Sequence, residues 1–489
     1  MNFFSFIARK TFARGVHPAS NKSTAGTPLR RMPFAPRMIL PLAQHIGKPA
    51  VPTISVGQEV VRGQLIARAD GFMSVPLHAP VDGVVESIEL MPSARGPWTE
   101  SIVIRTYEAS TQEVRWGEPR DMDALTPAEI IQAVQDTGMV GLGGAAFPSH
   151  VKLTVPKERK IHTLVVNGCE CEPYLTCDHR VMIERTDDLI QGIRYAMRAI
   201  GADKAVIGVE DNKPDAVAAI RAKLPADGTI SVVAVETKYP QGAEKMLIKS
   251  ALGLEVPAGG LPSEVGVVVN NVGTLALLGR LLPAGQGLTE RAVTVTGPGI
   301  SRPGDYWVPI GTPMRHVLQW AGAEAVTERE IILGGPMMGQ AVASLDVPVT
   351  KGVSGILVFD RREVESEGNR KTHACIKCGE CVNACPMGLN PSMLGLLADS
   401  REYDRMGSAY HLGDCFECGC CTYVCPSNIP LVQQFRVAKG ILRERAALAK
   451  AKLEVHESGE RFDFGHAEGE GRKLGGSRHK ITPDSSDPL

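Results

Sequence analysis

No run of apolar residues in this 489-residue chain approaches the roughly 18 needed to cross a bilayer. The richest run, Val265 to Asn270, is short and reads as a buried strand. The expectation is a protein without a span of its own that can still lie on a membrane. Acidic residues are missing from the start: none precedes Glu59, whereas Arg9, Lys10, Arg14, Lys22, Arg30, Arg31, Arg37 and Lys48 all do. A transit peptide has this bias, and so does a basic arm resting on an anionic surface or a partner. No signal-peptide core with a cleavage site is visible, which points to a cytosolic protein. There is also no excess of charge: 53 Lys and Arg face 54 Asp and Glu, giving -1 overall and no reason to expect nucleic acid. Isolated cysteine pairs are absent, and nine of the twelve cysteines lie after residue 370, a clustering that suits metal ligands better than disulfides.

At 43% hydrophobic and 22% charged the composition is that of a globular protein with real cores. The length suggests three or four domains. Residues 1–38 are Pro-, Ser-, Lys- and Arg-rich without period and are expected to form a basic, poorly ordered arm. In 39–115 short β-like runs alternate with turns at Val56-Gly57, Arg62-Gly63, Asp70-Gly71 and Asp82-Gly83. This stretch resembles the barrel-sandwich fold of biotinyl and lipoyl carriers. Its central hairpin, Phe72-Met73-Ser74-Val75-Pro76, has no attachment lysine, so a structural module is expected. Across 126–285 the runs 163–168, 204–210, 230–236 and 265–270 read as strands. Helical periods at 128–137, 187–200, 214–224, 243–252 and 274–282 alternate with them, predicting a parallel sheet in an α/β domain. Ligands of such sheets bind at the loops beyond the strands' carboxyl ends. Residues 290–345 turn to β character, 360–372 read as a charged linker, 365–445 hold the cysteine repeats among helices, and 446–489 form a polar tail expected to be flexible.

The repeats carry the strongest chemistry. Cys375-x2-Cys378-x2-Cys381-x3-Cys385-Pro386 recurs as Cys415-x2-Cys418-x2-Cys421-x3-Cys425-Pro426. Three closely spaced thiolates wrap one face of a cubane cluster, and in two-cluster proteins the fourth ligand comes from the other run. Two [4Fe–4S] clusters follow: one on Cys375, Cys378, Cys381 and Cys425, the other on Cys415, Cys418, Cys421 and Cys385. The rival reading, two zinc sites, usually uses separated cysteine pairs rather than a triplet followed by Cys-Pro. Cys420 is expected to point away from the ligands. The pattern resembles the helical ferredoxin domains of respiratory enzymes.

Three loops of the α/β domain bear on the electron donor. Gly138 to Pro148 is Gly-rich and is followed by Lys152, so the backbone can approach a phosphate or a ring closely and lysine can neutralise a phosphate; a simple turn also needs such glycines. Asn167-Gly-Cys-Glu-Cys-Glu-Pro173 directly follows a strand, with Glu170 and Glu172 facing either a cofactor or solvent. Asn270-Asn271-Val272-Gly273-Thr274 opens a helix whose N-terminus suits an anion. Cys169, Cys171 and Cys177 near the second loop are read as small packing residues rather than as a metal site.

Together these loops resemble the flavin subunit of respiratory complex I. From residue 30 to about 445 the chain resembles the family of C components of Rnf electron transport complexes: Gln44-His45-Ile46-Gly47 opens a barrel-sandwich module, a Rossmann-like FMN domain follows, then a β-grasp (SLBB) domain over Val293 to Leu318, then the twin ferredoxin motifs. The resemblance implies FMN contacts from Gly141, Gly143, Gly144, Lys152, Asn167, Glu170, Asn270, Asn271 and Thr274. It also implies an NADH platform at Phe147 with Glu172 close by. It departs from the complex I pattern at Leu142, where that family has Arg, at Cys169, where it has Asp, and near Lys238, where an acidic residue is expected. What it implies is an NAD-linked oxidoreductase component: electrons pass between NAD(H), FMN and two clusters, and on to membrane and peripheral subunits that couple NAD and ferredoxin chemistry to ion movement. Its place would be the cytoplasmic face of a bacterial inner membrane. No side chain need act as a general acid or base. Cobalamin reductases share the architecture and are the near alternative; a flavin-free electron relay is the other.

Overall fold

The computed structural model describes residues 10–94, 96–156, 158–323, 329–360 and 371–457. Most of the expected linker and the tail beyond 457 lie outside these. Two units divide at Lys439 and Gly440; the second is represented here by the C-terminal part of the helix Leu431–Glu457.

The barrel-sandwich module consists of two facing sheets. One orders Arg37–Pro41, Gly96–Thr106, Gly83–Ser93 and Glu59–Val60; the other orders Val51–Pro52, Leu65–Arg68 and Leu77–His78. Alternation puts Met38, Leu40, Ile66, Leu77, Val85, Ile102 and Ile104 into one core between them.

The α/β domain follows the sequence pattern closely. Its four strands pair in parallel in the order Ile230–Val235, Lys204–Glu210, Thr163–Gly168, Val267–Asn271. Helix Pro127–Asp136 opens on a capping box between Thr126 and Glu129, which satisfies two otherwise free N–H groups. Helices Thr186–Ile200 and Val272–Ala284 approach so closely that a Cβ on Gly192 would collide with the Leu275 carbonyl and one on Gly279 with that of Asp188. Two helices absent from the sequence reading, Ser149–Leu153 and Cys177–Glu184, each directly follow a candidate loop.

A mixed sheet comes next, ordered Arg30–Arg31, Gly304–Pro309, Glu290–Thr296, Gly355–Asp360, Arg329–Leu333, Gln340–Val342. Helix Met314–Ala321 packs on it through Met314, Val317 and Leu318. The cysteine runs sit on short helices, Glu380–Ala384 and Cys420–Tyr423, joined through Pro391–Asp399 and Tyr403–Ser408.

The N-terminal segment departs from its expected looseness. From Lys10 onward it is strapped across the other domains. The Glu236 N–H donates to the Lys10 carbonyl at 3.0 Å, Val16 N–H to Tyr239 O at 2.8 Å, and Gly15 N–H to Ala384 O at 3.2 Å. Arg30 and Arg31 add a parallel strand beside Tyr306 and Trp307. The segment has no period of its own because it forms no element by itself. Its backbone borrows partners from others, and single apolar residues, Phe12 and Val16, fill gaps between them.

Glu290 ties four segments together. Its buried carboxylate meets Arg62 and Arg31 at 2.7 Å each and Arg280 at 3.4 Å. These guanidiniums, Arg62 first, outweigh burial and hold its pKa below the usual carboxylate value. Glu290→Gln leaves the fully buried Arg62 without a counter-charge, so stability is expected to fall by about 3–5 kcal/mol, read as a lower urea midpoint. Because the folded pKa is depressed, the ion pair's stabilisation is complete above the ordinary value of 4.5 and is lost as pH falls through the lower folded value.

Candidate functional site at the strand ends and cysteine runs

The strand order reverses beside Thr163–Gly168, with Lys204–Glu210 on one side and Val267–Asn271 on the other. A crevice opens at such a switch point, beyond the carboxyl ends of the strands. The second and third loops leave from these two neighbouring strands, whose register sets Asn167 beside Asn271. The first loop joins them. Leu142 N–H donates to Thr274 Oγ1 at 2.9 Å, and a Cβ on Gly143 would touch the Asn271 side chain. Asn271 Oδ1 caps the helix by accepting from Thr274 N–H at 3.1 Å, while its Nδ2 donates to Asp178 at 2.6 Å. Gly141 N–H donates to Phe147 O at 2.8 Å, closing the first loop on itself.

What this crevice offers a ligand is specific. Asn270 Nδ2 is buried without a protein partner, and so are both amide atoms of Gln241, which follows Pro240. Gly144, at φ +108°, has open space where a side chain would stand. Buried polar atoms without partners are costly unless a bound group satisfies them. Orphaned amides and an open glycine floor at a switch point fit a planar polar group such as a flavin.

Other expected contacts have protein partners. Lys152 Nζ meets Glu244 at 2.5 Å. Glu170 caps helix Cys177–Glu184, its carboxylate accepting from Asp178 N–H at 2.9 Å and His179 N–H at 3.2 Å. Lys238 faces the N-terminal segment, donating to Phe12 O at 3.0 Å and lying 4.5 Å over the Phe12 ring. Burial raises the Cys169, Cys171 and Cys177 thiols, Cys169 and Cys177 well above the usual range, so all three sit as neutral packing groups. Lys22, which carried no sequence signal beyond its charge, donates to the carbonyls of Glu170, Glu172 and Leu175 at 2.8, 2.9 and 2.5 Å.

Glu172 accepts from Met337 N–H at 3.0 Å and Met338 N–H at 2.9 Å, yet burial dominates and pushes its pKa up to about 7. The folded chain therefore binds more protons here than the unfolded chain between the ordinary 4.5 and about 7, and this group's contribution to stability declines as pH rises through that window. Glu172→Gln is expected to flatten that decline by on the order of 2 kcal/mol between pH 5 and 8, measured as urea midpoints.

The cysteines fall into two groups. Cys375, Cys378, Cys381 and Cys425 line one cavity of about 280 Å³, far above the ~10–15 Å³ that holds one water. Burial raises the Cys381 thiol, and its neighbours Cys378 and Cys425 raise it further. In the other group burial raises Cys415 to about 11 and Cys421 to about 12, with Cys418 and Cys385 next to both. Cys420 is buried with Val16, Tyr239 and Ala384, and its thiol hydrogen-bonds that of Cys418 rather than standing apart from the group. Among the described residues, no three His, Cys, Asp or Glu side chains converge closely enough to hold a single metal ion. The second group abuts the crevice. Tyr239 Oη donates to Cys418 O at 2.7 Å, and Cys171, Met337 and Cys418 pack against the same buried patch. The first group lies toward solvent, where Cys378 is exposed.

Known proteins share these parts. Residues 10–109 match the family model of the RnfC barrel sandwich hybrid domain, 134–280 the Nuo51 FMN-binding domain, and 374–429 the 4Fe-4S dicluster domain. The chain is 41% identical over 447 residues to the C component of the proton-translocating ferredoxin:NAD(+) oxidoreductase complex of Clostridium ljungdahlii, covering 91% of this chain and 96% of that one. It is 40% identical over 457 residues to the C component of the ion-translocating oxidoreductase complex of Salmonella paratyphi A, and spans 61% of that protein's length. An NAD+-reducing [NiFe]-hydrogenase structure aligns at TM-score 0.44 and 23% identity, over 60% of this chain and 55% of that one. No helix among the described residues is long and apolar enough to cross a membrane. By its identity to the Clostridium protein along nearly the whole of both chains, this chain belongs to the RnfC family, the C components of Rnf-type ion-translocating oxidoreductase complexes.

Proposed function

We propose that the chain is the NADH-interacting electron-transfer subunit of such a complex, held peripherally at the cytoplasmic face of the membrane. One observation carries this reading: the Tyr239–Cys418 hydrogen bond joins the strand-end crevice to a cysteine run, so a donor site and a relay are parts of one packed body. When bound, FMN supplies the exchange between two-electron hydride chemistry and the single electrons that [4Fe–4S] clusters accept.

The chain's own contribution is positional. Gly141, Gly143 and Gly144 would let backbone approach the flavin, Asn167, Asn270, Asn271 and Thr274 would meet its polar edge, and Lys152 its phosphate, drawn from Glu244. Phe147 and Glu172 would border the nicotinamide. Glu170 would act from behind, by fixing the helix that carries Asp178. Cys375, Cys378, Cys381 and Cys425 would hold one cluster and Cys415, Cys418, Cys421 and Cys385 the other, as their grouping supports. Beside them, the strand order of the mixed sheet supports a β-grasp (SLBB) assignment: a central hairpin, Glu290–Thr296 with Gly304–Pro309, has its first strand parallel to the last, Gly355–Asp360. The domain limits expected from the sequence are proposed with it, the β-grasp sheet running on to residue 360.

The test is anaerobic purification followed by iron, sulfide and flavin counts, with spectra before and after NADH. Roughly eight irons with FMN, bleached by NADH, are expected. Iron without flavin and without an NADH response would leave an electron relay and remove the dehydrogenase.

A further inference from the structure

The relay has a buried end and an open end. At the buried end Tyr239 and Cys420 are buried, with Cys418, Cys171 and Met337 half-buried against them. At the open end Cys378 is exposed, and Ile376, inside the same cysteine run, is 68% exposed. Leu396, on helix Pro391–Asp399, is 46% exposed and lines the same cavity mouth. Lys377 stands between Ile376 and Cys378 on a left-handed backbone, φ +59°. A β-carbon in that conformation is strained for an L-residue, so the turn that carries Ile376 outward is held by the run around it.

We infer that the patch of Ile376, Leu396 and Lys377 is the docking surface for a one-electron redox protein, the neighbouring component of the complex that exchanges electrons with the cluster of Cys375, Cys378, Cys381 and Cys425. This rests on the proposed function above and adds where the relay meets its partner. The chemistry at the patch selects that occupant. Single exposed apolar residues are ordinary on a protein surface, but two beside an exposed cluster ligand put a dry contact where an electron would cross. Weak redox encounters bury less than about 1,200 Å², so a small apolar patch suffices. Lys377 favours a partner with an acidic side chain opposite it, which steers approach more than it adds affinity. The step is balanced: one electron is lost on this side and gained by the partner's centre, and no bond or proton moves. At the opposite end Cys420 and Tyr239 are buried, and Val16 of the N-terminal strap pairs with Tyr239.

The test is binding of the purified full chain to washed membranes from cells lacking it, with and without Ile376→Asp and Leu396→Glu. Each substitution is expected to weaken binding roughly tenfold, a change of about 1.4 kcal/mol, and to do so with iron and sulfide contents equal to wild type. Trp98→Asp, on the barrel-sandwich module and 63% exposed, serves as the control and is expected to bind as wild type. The chain reduced by dithionite is then mixed with the same membranes, so electron delivery is read without NADH. Slowed delivery from Ile376→Asp supports the surface whether or not NADH reduces the chain. Wild-type binding and delivery by both patch variants would overturn it, and so would equal loss by Trp98→Asp. A failure of NADH alone to reduce the unaltered chain would overturn the dehydrogenase reading and leave this one standing.

Discussion

Cys418→Ser is expected to separate the two ends of the relay. The variant loses roughly half its iron, keeps its flavin, and shows NADH-driven reduction of the remaining cluster slowed roughly 100-fold or more, since losing a ligand exceeds the ~10–100-fold that loss of an outer partner costs. Cys378→Ser is the informative partner. It too loses roughly half its iron, but its remaining cluster is the one whose cysteine run lies under Tyr239, and NADH is expected to reduce it at near the wild-type rate. The difference follows from geometry alone: Cys418 O accepts from Tyr239 in the crevice wall, while Cys378 is exposed. Stopped-flow spectra after NADH, with iron counts on the same samples, decide it. If both variants slow alike, the two clusters do not act in this order.

The parts of this site that were legible in the sequence are those written in local spacing. Each cysteine run spans eleven residues, so its thiols must be neighbours wherever it folds. The crossing of Cys385 and Cys425 followed from the way such runs pair. The parallel sheet was legible too, because buried strands and periodic helices alternate along it. Loops following Thr163–Gly168 and Val267–Asn271 had to share an edge once those strands were neighbours. The joints between distant segments were not legible. Nothing local marks Tyr239 as the contact to Cys418, 179 residues away. Glu170 looked like a cofactor contact because it sits in the loop; its capping of Cys177–Glu184 depends on a helix too short and too polar to show a period. Glu290 gave no sign of meeting three arginines from three other segments. The N-terminal strap was misjudged for the same reason: its composition describes a chain alone, and it is ordered by partners it meets only in the fold.

Lys22 is where that misjudgement has the largest functional consequence. Its ammonium has three hydrogen bonds, all to carbonyls of one loop, at 2.8, 2.9 and 2.5 Å. Burial lowers its pKa, against the pull of Glu170, and the three acceptors leave it fully satisfied. Tyr174 N–H donates in turn to Ser20 O at 2.9 Å, so strap and loop hold each other. Lys22→Met keeps the length of the stem and removes every one of the three charged donors, each worth about 1.5–3 kcal/mol before water replaces part of it. The loop from Glu170 to Leu175 is expected to open, with amide exchange there accelerating while the cores of the α/β domain stay protected. Because Glu172 borders the proposed nicotinamide position, kcat/KM for NADH is expected to fall roughly 10–100-fold, equivalent to about 1.4–2.7 kcal/mol. Iron content should not change, since the strap's contacts near the clusters, Arg14 with the Val382 and Cys385 carbonyls, Gly15 with Ala384 and Val16 with Tyr239, do not involve Lys22. Lys22→Arg, which keeps the charge but in a planar fork, should recover part of the loss and not all of it. Wild-type exchange in the loop together with wild-type kinetics in Lys22→Met would show that the loop is held by Glu172 and the Met337–Met338 backbone alone, and that the strap is a covering rather than a clamp.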